Sequence, residues 1–170
     1  MKYEYGLVLR ILLSFIPVSA FLFLFSSITI YGVYFSLFFY NPIAEGINLT
    51  ISNEVFSFVE ACIAPLAYML LWLLIMWTKD INLFTRAKMF LFGSLLIYLM
   101  NVVRIFILIM VSLNYGVNWF ERIHILFWDF TASVFVALVW IFLIKFYKIK
   151  DIPVYSDIKY LYKKSVFRKL

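Results

Sequence analysis

The sequence predicts an all-α polytopic membrane protein, a single integral membrane domain over residues 1–170 with about four transmembrane helices and both termini cytoplasmic. Three observations carry this reading. Hydrophobic residues make up 66% of the chain and charged residues only 14%, a balance foreign to soluble globular domains. Apolar runs near the length that crosses a bilayer as a helix recur at about 11–33, 62–77, 89–113 and 123–146. Lysines and arginines gather at the ends of these runs and in a basic tail over 147–170, which is how topology is written into membrane proteins.

The first run follows ten residues flanked by Lys2 and Arg10 and stays apolar to about Phe39. That exceeds one span, so a tilted helix running into the interface is expected, or a span followed by an interfacial turn, with Pro17 as a site for a kink. Val18-Ser19-Ala20 resembles a signal-peptide cleavage site, but the apolar run continues through Phe21-Leu22-Phe23-Leu24-Phe25, which argues against cleavage.

Residues 40–61 form a long connection with three glutamates and no Lys or Arg, broken into turns at Asn41-Pro42 and Gly46. Ser52 to Glu60 reads as a short amphipathic helix with Val55, Phe56 and Val59 on one face. Asn48-Leu49-Thr50 is a glycosylation sequon if this loop faces outward. The second run is followed by a loop at 78–88 carrying Lys79, Arg86 and Lys88, and the third by a short loop at 114–122. The 40–61 loop has no positive residue and the 114–122 loop only Arg122, so both are expected outside. The net charge of +6 follows this topology, and no nucleic-acid partner is expected.

The chemistry is concentrated in few residues. Asn101 and Arg104 lie well inside the third run, three positions apart and so on one helix face, which Ser94 and Tyr98 extend inward. An intramembrane arginine costs several kcal/mol and persists where it faces a bundle interior or a watery cavity with work to do. The predicted topology sets Cys62, the only cysteine, and His124, the only histidine, in the outer half of the bundle with Arg104. A thiol beside a cation and a helix start is a nucleophile; Pro65, best tolerated in a first helical turn, marks irregular backbone next to Cys62. A guanidinium can hold an oxyanion, and an imidazole can protonate a leaving amine. One Cys and one His do not make a protein-only zinc site, so neither metal nor cofactor is expected.

Each residue also has a plain structural reading. Cys62 can be a small packing residue, His124 an interfacial polar one, Asn101 an interhelical hydrogen bond, and Arg104 the partner of Asp129 in a buried ion pair. Asp129 is about 140° round an ideal helix from His124, so one helix does not aim both at one point. Glu60 is a weaker candidate.

Glu60-Ala61-Cys62, Asn101-Val102-Val103-Arg104-Ile105 and His124 at the start of a final helix together resemble the archaeosortase/exosortase family of membrane transpeptidases, over roughly residues 50–145. The chain departs from that pattern in its small size and in Ile63, Ala64 and Pro65 after the cysteine, where many members place a small hydroxyl residue. The resemblance implies a membrane cysteine protease with Cys62, Arg104 and His124 as its catalytic residues and Asn101 as a supporting one. It implies as substrates exported proteins ending in a signature motif, a transmembrane helix and a basic cluster. The new C-terminus would pass to a lipid or other surface anchor on the extracytoplasmic side. The competing expectation is a non-enzymatic membrane scaffold or transporter subunit built on the Arg104–Asp129 pair.

Overall fold

The structure is a computed structural model that describes residues 3–79, 81–127, 132–149, 151, 153 and 155–164. It is mostly helical, and two of its helices, Val18–Ser36 and Leu83–Tyr115, are long and apolar enough to cross a membrane. Pro65–Met76 and Ser133–Phe146 are apolar but shorter than the roughly 20 residues that a bilayer asks of one helix.

The first apolar run is divided. Helix α1 covers Tyr3–Ser14 and α2 covers Val18–Ser36, with extended backbone at Pro17 between them. Proline has no N–H to donate and its ring clashes with the preceding turn, so the chain restarts instead of kinking. The expected span at 11–33 therefore draws its first residues from a separate helix. Trp72, in the helix Pro65–Met76, donates its indole N–H to the Leu13 carbonyl at 2.8 Å and ties the end of α1 to the bundle.

The expectation of an all-α chain fails between residues 43 and 57. Strands β1 (Ile43–Glu45), β2 (Asn48–Ile51) and β3 (Glu54–Ser57) form an antiparallel meander there. The helix expected over Ser52 to Glu60 is replaced by β3 because Ser52 and Asn53 both take left-handed φ values, 51° and 69°, and turn the chain back. Two such residues make the tight turn whose twist suits a hairpin. Period-two alternation then decides burial: Leu49 and Ile51 point inward while Asn48 and Thr50 are only half-buried. Asn48, the sequon residue, accepts a hydrogen bond from Ser57 Oγ at 2.8 Å across the hairpin.

The second run is also interrupted. A single turn, α3 (Glu60–Ile63), ends at Ala64 with φ 55° and ψ 49°, and α4 (Pro65–Met76) begins with proline in its first position. Helix α5 (Leu83–Tyr115) starts six residues earlier than the run expected at 89–113 and extends two beyond it. The loop expected at 114–122 is largely helix α6 (Val117–Leu126), and α7 covers Ala132–Phe146, so the expected span at 123–146 belongs to two helices. The basic tail contains α8 (Tyr155–Lys164). Asp129 lies outside the described residues.

Helices α2, α4, α5 and α7 form the bundle: α2 packs on α4 and α5, α4 on α5 and α7, and α5 on α7. Two apolar cores result. One, around Phe25, Tyr68, Leu71, Met89 and Leu143, fills the centre and one end of the bundle. The other joins Val33 and Leu37 of α2 and Ile105 and Ile109 of α5 to Leu49 and Ile51 of the sheet. Along α5 the first core ends at Ile97 and the second starts at Ile105, leaving Asn101 and Arg104 as a polar layer between them.

Candidate active site

The site begins with a break in a helix. Continued helix would have Cys62 C=O accept from the N–H four residues on. The left-handed Ala64 stops that pattern, Pro65 brings no N–H, and the Ala67 N–H goes back to the Ala64 carbonyl at 3.0 Å. A left-handed alanine costs about 1–2 kcal/mol, and a buried carbonyl without a donor costs a comparable amount. The Cys62 carbonyl is therefore a free acceptor pointing into the bundle, and α5 supplies the donors. Asn101 Nδ2 donates to it at 2.7 Å and Arg104 Nη2 at 3.4 Å.

Both donors come from one stripe. Ser94, Ile97, Asn101, Arg104 and Leu108 recur at three- and four-residue spacing and are buried, Arg104 to 6% exposure. Positions between them, such as Leu95, Leu99 and Val103, are exposed. The polar pair thus faces the protein interior, which is where a charge in a membrane-crossing helix is tolerated.

His124 arrives by a different route. Gly116 closes α5 with φ 83°, a conformation open to glycine, and the chain turns back so that α6 packs along the end of α5. On α6 the imidazole stacks on Phe120 one turn before it, ring centroids 5.6 Å apart. Its Nδ1 is shielded and has no hydrogen-bond partner among the described residues.

The three residues singled out in the sequence line one cavity of about 340 Å³. Cys62 comes from α3, Arg104 from α5 and His124 from α6, while Phe56 of β3, Phe58 just after it and Phe120 of α6 supply apolar wall. The thiol is unpaired and half-buried. Arg104 also lines a second cavity of about 600 Å³, walled by Pro65, Leu66, Leu70 and Leu73 of α4 and Val136 of α7. Glu60 belongs to this second cavity. Asn101 lines neither; it reaches the Cys62 carbonyl from the bundle side. The guanidinium thus stands between a small chamber holding the thiol and imidazole and a larger apolar one opening between α4 and α7.

Several residues that build this arrangement carry no clear mark of it in the sequence. Phe56 and Phe58 were hidden by the helical reading of their segment. Phe120 carried a signal, an aromatic four residues before the only histidine. Tyr68, fully buried and stacked on Phe25 at 3.7 Å, lies near enough to Arg104 to interact with it electrostatically. Nothing in its apolar sequence context marked it. Compared with models of known families, with characterised proteins and with solved structures, the chain matches none.

Proposed function

We propose that this chain is a membrane-embedded cysteine peptidase or transpeptidase that cleaves the C-terminal sorting signal of exported proteins. The observation that carries the reading is the single cavity shared by the only cysteine, the only histidine and the deep arginine of the sequence. They come from three different elements, α3, α6 and α5, and nothing local in the sequence required these to share one cavity.

In the proposed reaction, His124 takes the Cys62 proton and the thiolate attacks the scissile carbonyl carbon. Arg104 stabilises the tetrahedral oxyanion. His124 returns its proton to the departing amine as the C–N bond breaks and a thioester to Cys62 remains. An amine or hydroxyl of a lipid or surface acceptor, deprotonated by His124, displaces the thiol and restores it; water in that role gives hydrolysis. The apolar second cavity beside Arg104 suits the transmembrane helix of a substrate tail, which reaches the bundle by lateral diffusion. On this reading the chain is a multi-pass protein of the cell membrane. Helices α4 and α7, each with its neighbouring segment, complete four crossings, and the sheet and α6 cover the extracytoplasmic end.

The test follows the C-termini of exported proteins that end in a helix and a basic cluster, in a host lacking its own copy. Removal of those tails with wild type and their retention with Cys62→Ala is the expected result, and lipid mass on the new end marks transfer. Identical processing in both strains would falsify the catalytic reading.

One observation favours a second reading, a non-enzymatic scaffold or transporter subunit. Asn101 and Arg104 both donate to a main-chain carbonyl, as purely structural residues do. The partner then assigned to Arg104 is Asp129, outside the described residues. A scaffold tolerates Cys62→Ser; a thiol enzyme keeps its fold and loses turnover.

A further inference from the structure

The end of the molecule away from the sheet has a feature that the proposed chemistry does not use. Helices α1 and α8, at opposite ends of the chain, are joined by a two-pronged ion pair: Arg10 Nη1 and Nη2 donate to the two carboxylate oxygens of Asp157, each at 2.9 Å. Both side chains are largely shielded from solvent. The Lys79 ammonium lies 4.4 Å from the centre of the Tyr160 ring and adds a second hold on α8. Asp157 and Tyr160 thus mark the edge of α8 that faces the body.

Its other faces are unlike this edge. Tyr155, Ile158 and Tyr162 recur at i, i+3 and i+7 and are 58%, 59% and 63% exposed. Lys159 borders that stripe, and the sequence sets Lys163 one turn further on the same side. Helix α1 repeats the pattern with Tyr5, Val8 and Leu12, all exposed. At twelve and ten residues, α1 and α8 are too short to span a bilayer. An exposed apolar stripe with a lysine border on a short helix is the build of a helix lying in the membrane–water interface. The charge around it is predominantly positive. From Lys145 onward the chain holds eight Lys or Arg residues against Asp151 and Asp157, and Arg10 already engages Asp157.

We propose that α1 and α8, clamped by Arg10–Asp157, form an interfacial platform that binds the anionic headgroups of the adjoining leaflet, with the Tyr155–Ile158–Tyr162 stripe seated among the acyl chains and Lys159 on the phosphates. This rests on membrane residence alone and not on the catalytic reading.

The experiment places the full-length protein, one copy per disc, in nanodiscs of phosphatidylcholine alone or mixed with phosphatidylglycerol, and reads amide hydrogen exchange over residues 155–164. Exchange at least about tenfold slower in the anionic discs is expected, because each lysine near such a surface adds attraction. Lys159→Gln/Lys163→Gln should remove most of that difference, and Ile158→Glu/Tyr162→Glu all of it. Equal exchange in the two lipids overturns the proposal. So does slowing that appears only when two copies share a disc, which would assign the stripe to a second copy of the chain. Tail processing by Cys62 is read separately and is untouched by either outcome.

Discussion

Helix α5 carries two buried arginines, Arg86 at 4% exposure and Arg104 at 6%, eighteen residues and so roughly 27 Å apart along the helix. Their surroundings differ. Arg86 is wrapped in the carbonyls that close α4 and lead into α5. Its Nη1 donates to Ile75 and, at 2.9 Å, to Met76; Nη2 donates to Thr78 at 2.7 Å and Nε to Ile81 at 3.0 Å. All three nitrogens are spent on main-chain carbonyls at the end of α4 and in the connection to α5. Arg104 donates to the Cys62 carbonyl over a longer 3.4 Å and stands against two cavities. Burial alone therefore does not set these two arginines apart, and only the proposed function gives Arg104 a chemical role. What separates them is whether the guanidinium is closed in by backbone or borders a space that a reacting group can fill.

Four substitutions test that contrast. The largest effect is expected for Arg86→Ala, which leaves several buried carbonyls without a donor; a loss of about 4 kcal/mol is expected, read as a collapse of the thermal unfolding temperature in detergent by circular dichroism. If this variant melts like wild type, Arg86 is not the lock of the α4–α5 turn. Arg104→Lys comes next and should divide stability from activity. The charge stays while the planar fork is lost, so tail processing should fall about a hundredfold or more with little change in melting. A variant that processes normally would reduce Arg104 to the structural class of Arg86.

A smaller effect is expected for Asn101→Ala. The Cys62 carbonyl loses its 2.7 Å donor, so stability should drop by about 1 kcal/mol, with processing slowed because the turn bearing the thiol is less firmly held. Normal processing at wild-type stability would show that Asn101 does not hold that turn. The smallest effect has the opposite sign. Ala64→Gly relieves the left-handed backbone at φ 55° and should raise stability by about 1 kcal/mol. An unchanged or lower melting temperature would mean that the break at Ala64 is not strained.

Several features were legible in the sequence because their causes are local. The long apolar run with Asn101 and Arg104 three apart fixes a helix and one polar face, since helix period needs no partner. Pro17 and Pro65 mark real interruptions because proline acts on its own backbone. The sheet was not legible. Val55, Phe56 and Val59 satisfy a helical spacing, and whether they form a strand depends on the left-handed turn at Ser52-Asn53 and on a core waiting for Leu49 and Ile51. Arg86 was equally hidden, because a positive residue near the end of an apolar run looks the same whether it faces water or caps a helix.

By itself, then, the sequence determined which segments are apolar, where proline interrupts them, and where the few side chains of chemically versatile type lie along them, since these depend on side-chain type and short-range periodicity. The tertiary structure decided that Cys62 sits on a broken turn whose carbonyl α5 must satisfy, that Gly116 folds α6 back to bring His124 beside Arg104, and that Arg86 is a lock. Those outcomes depend on which unsatisfied backbone groups and unfilled spaces meet once distant segments pack, and that information is not present in any one stretch of the chain.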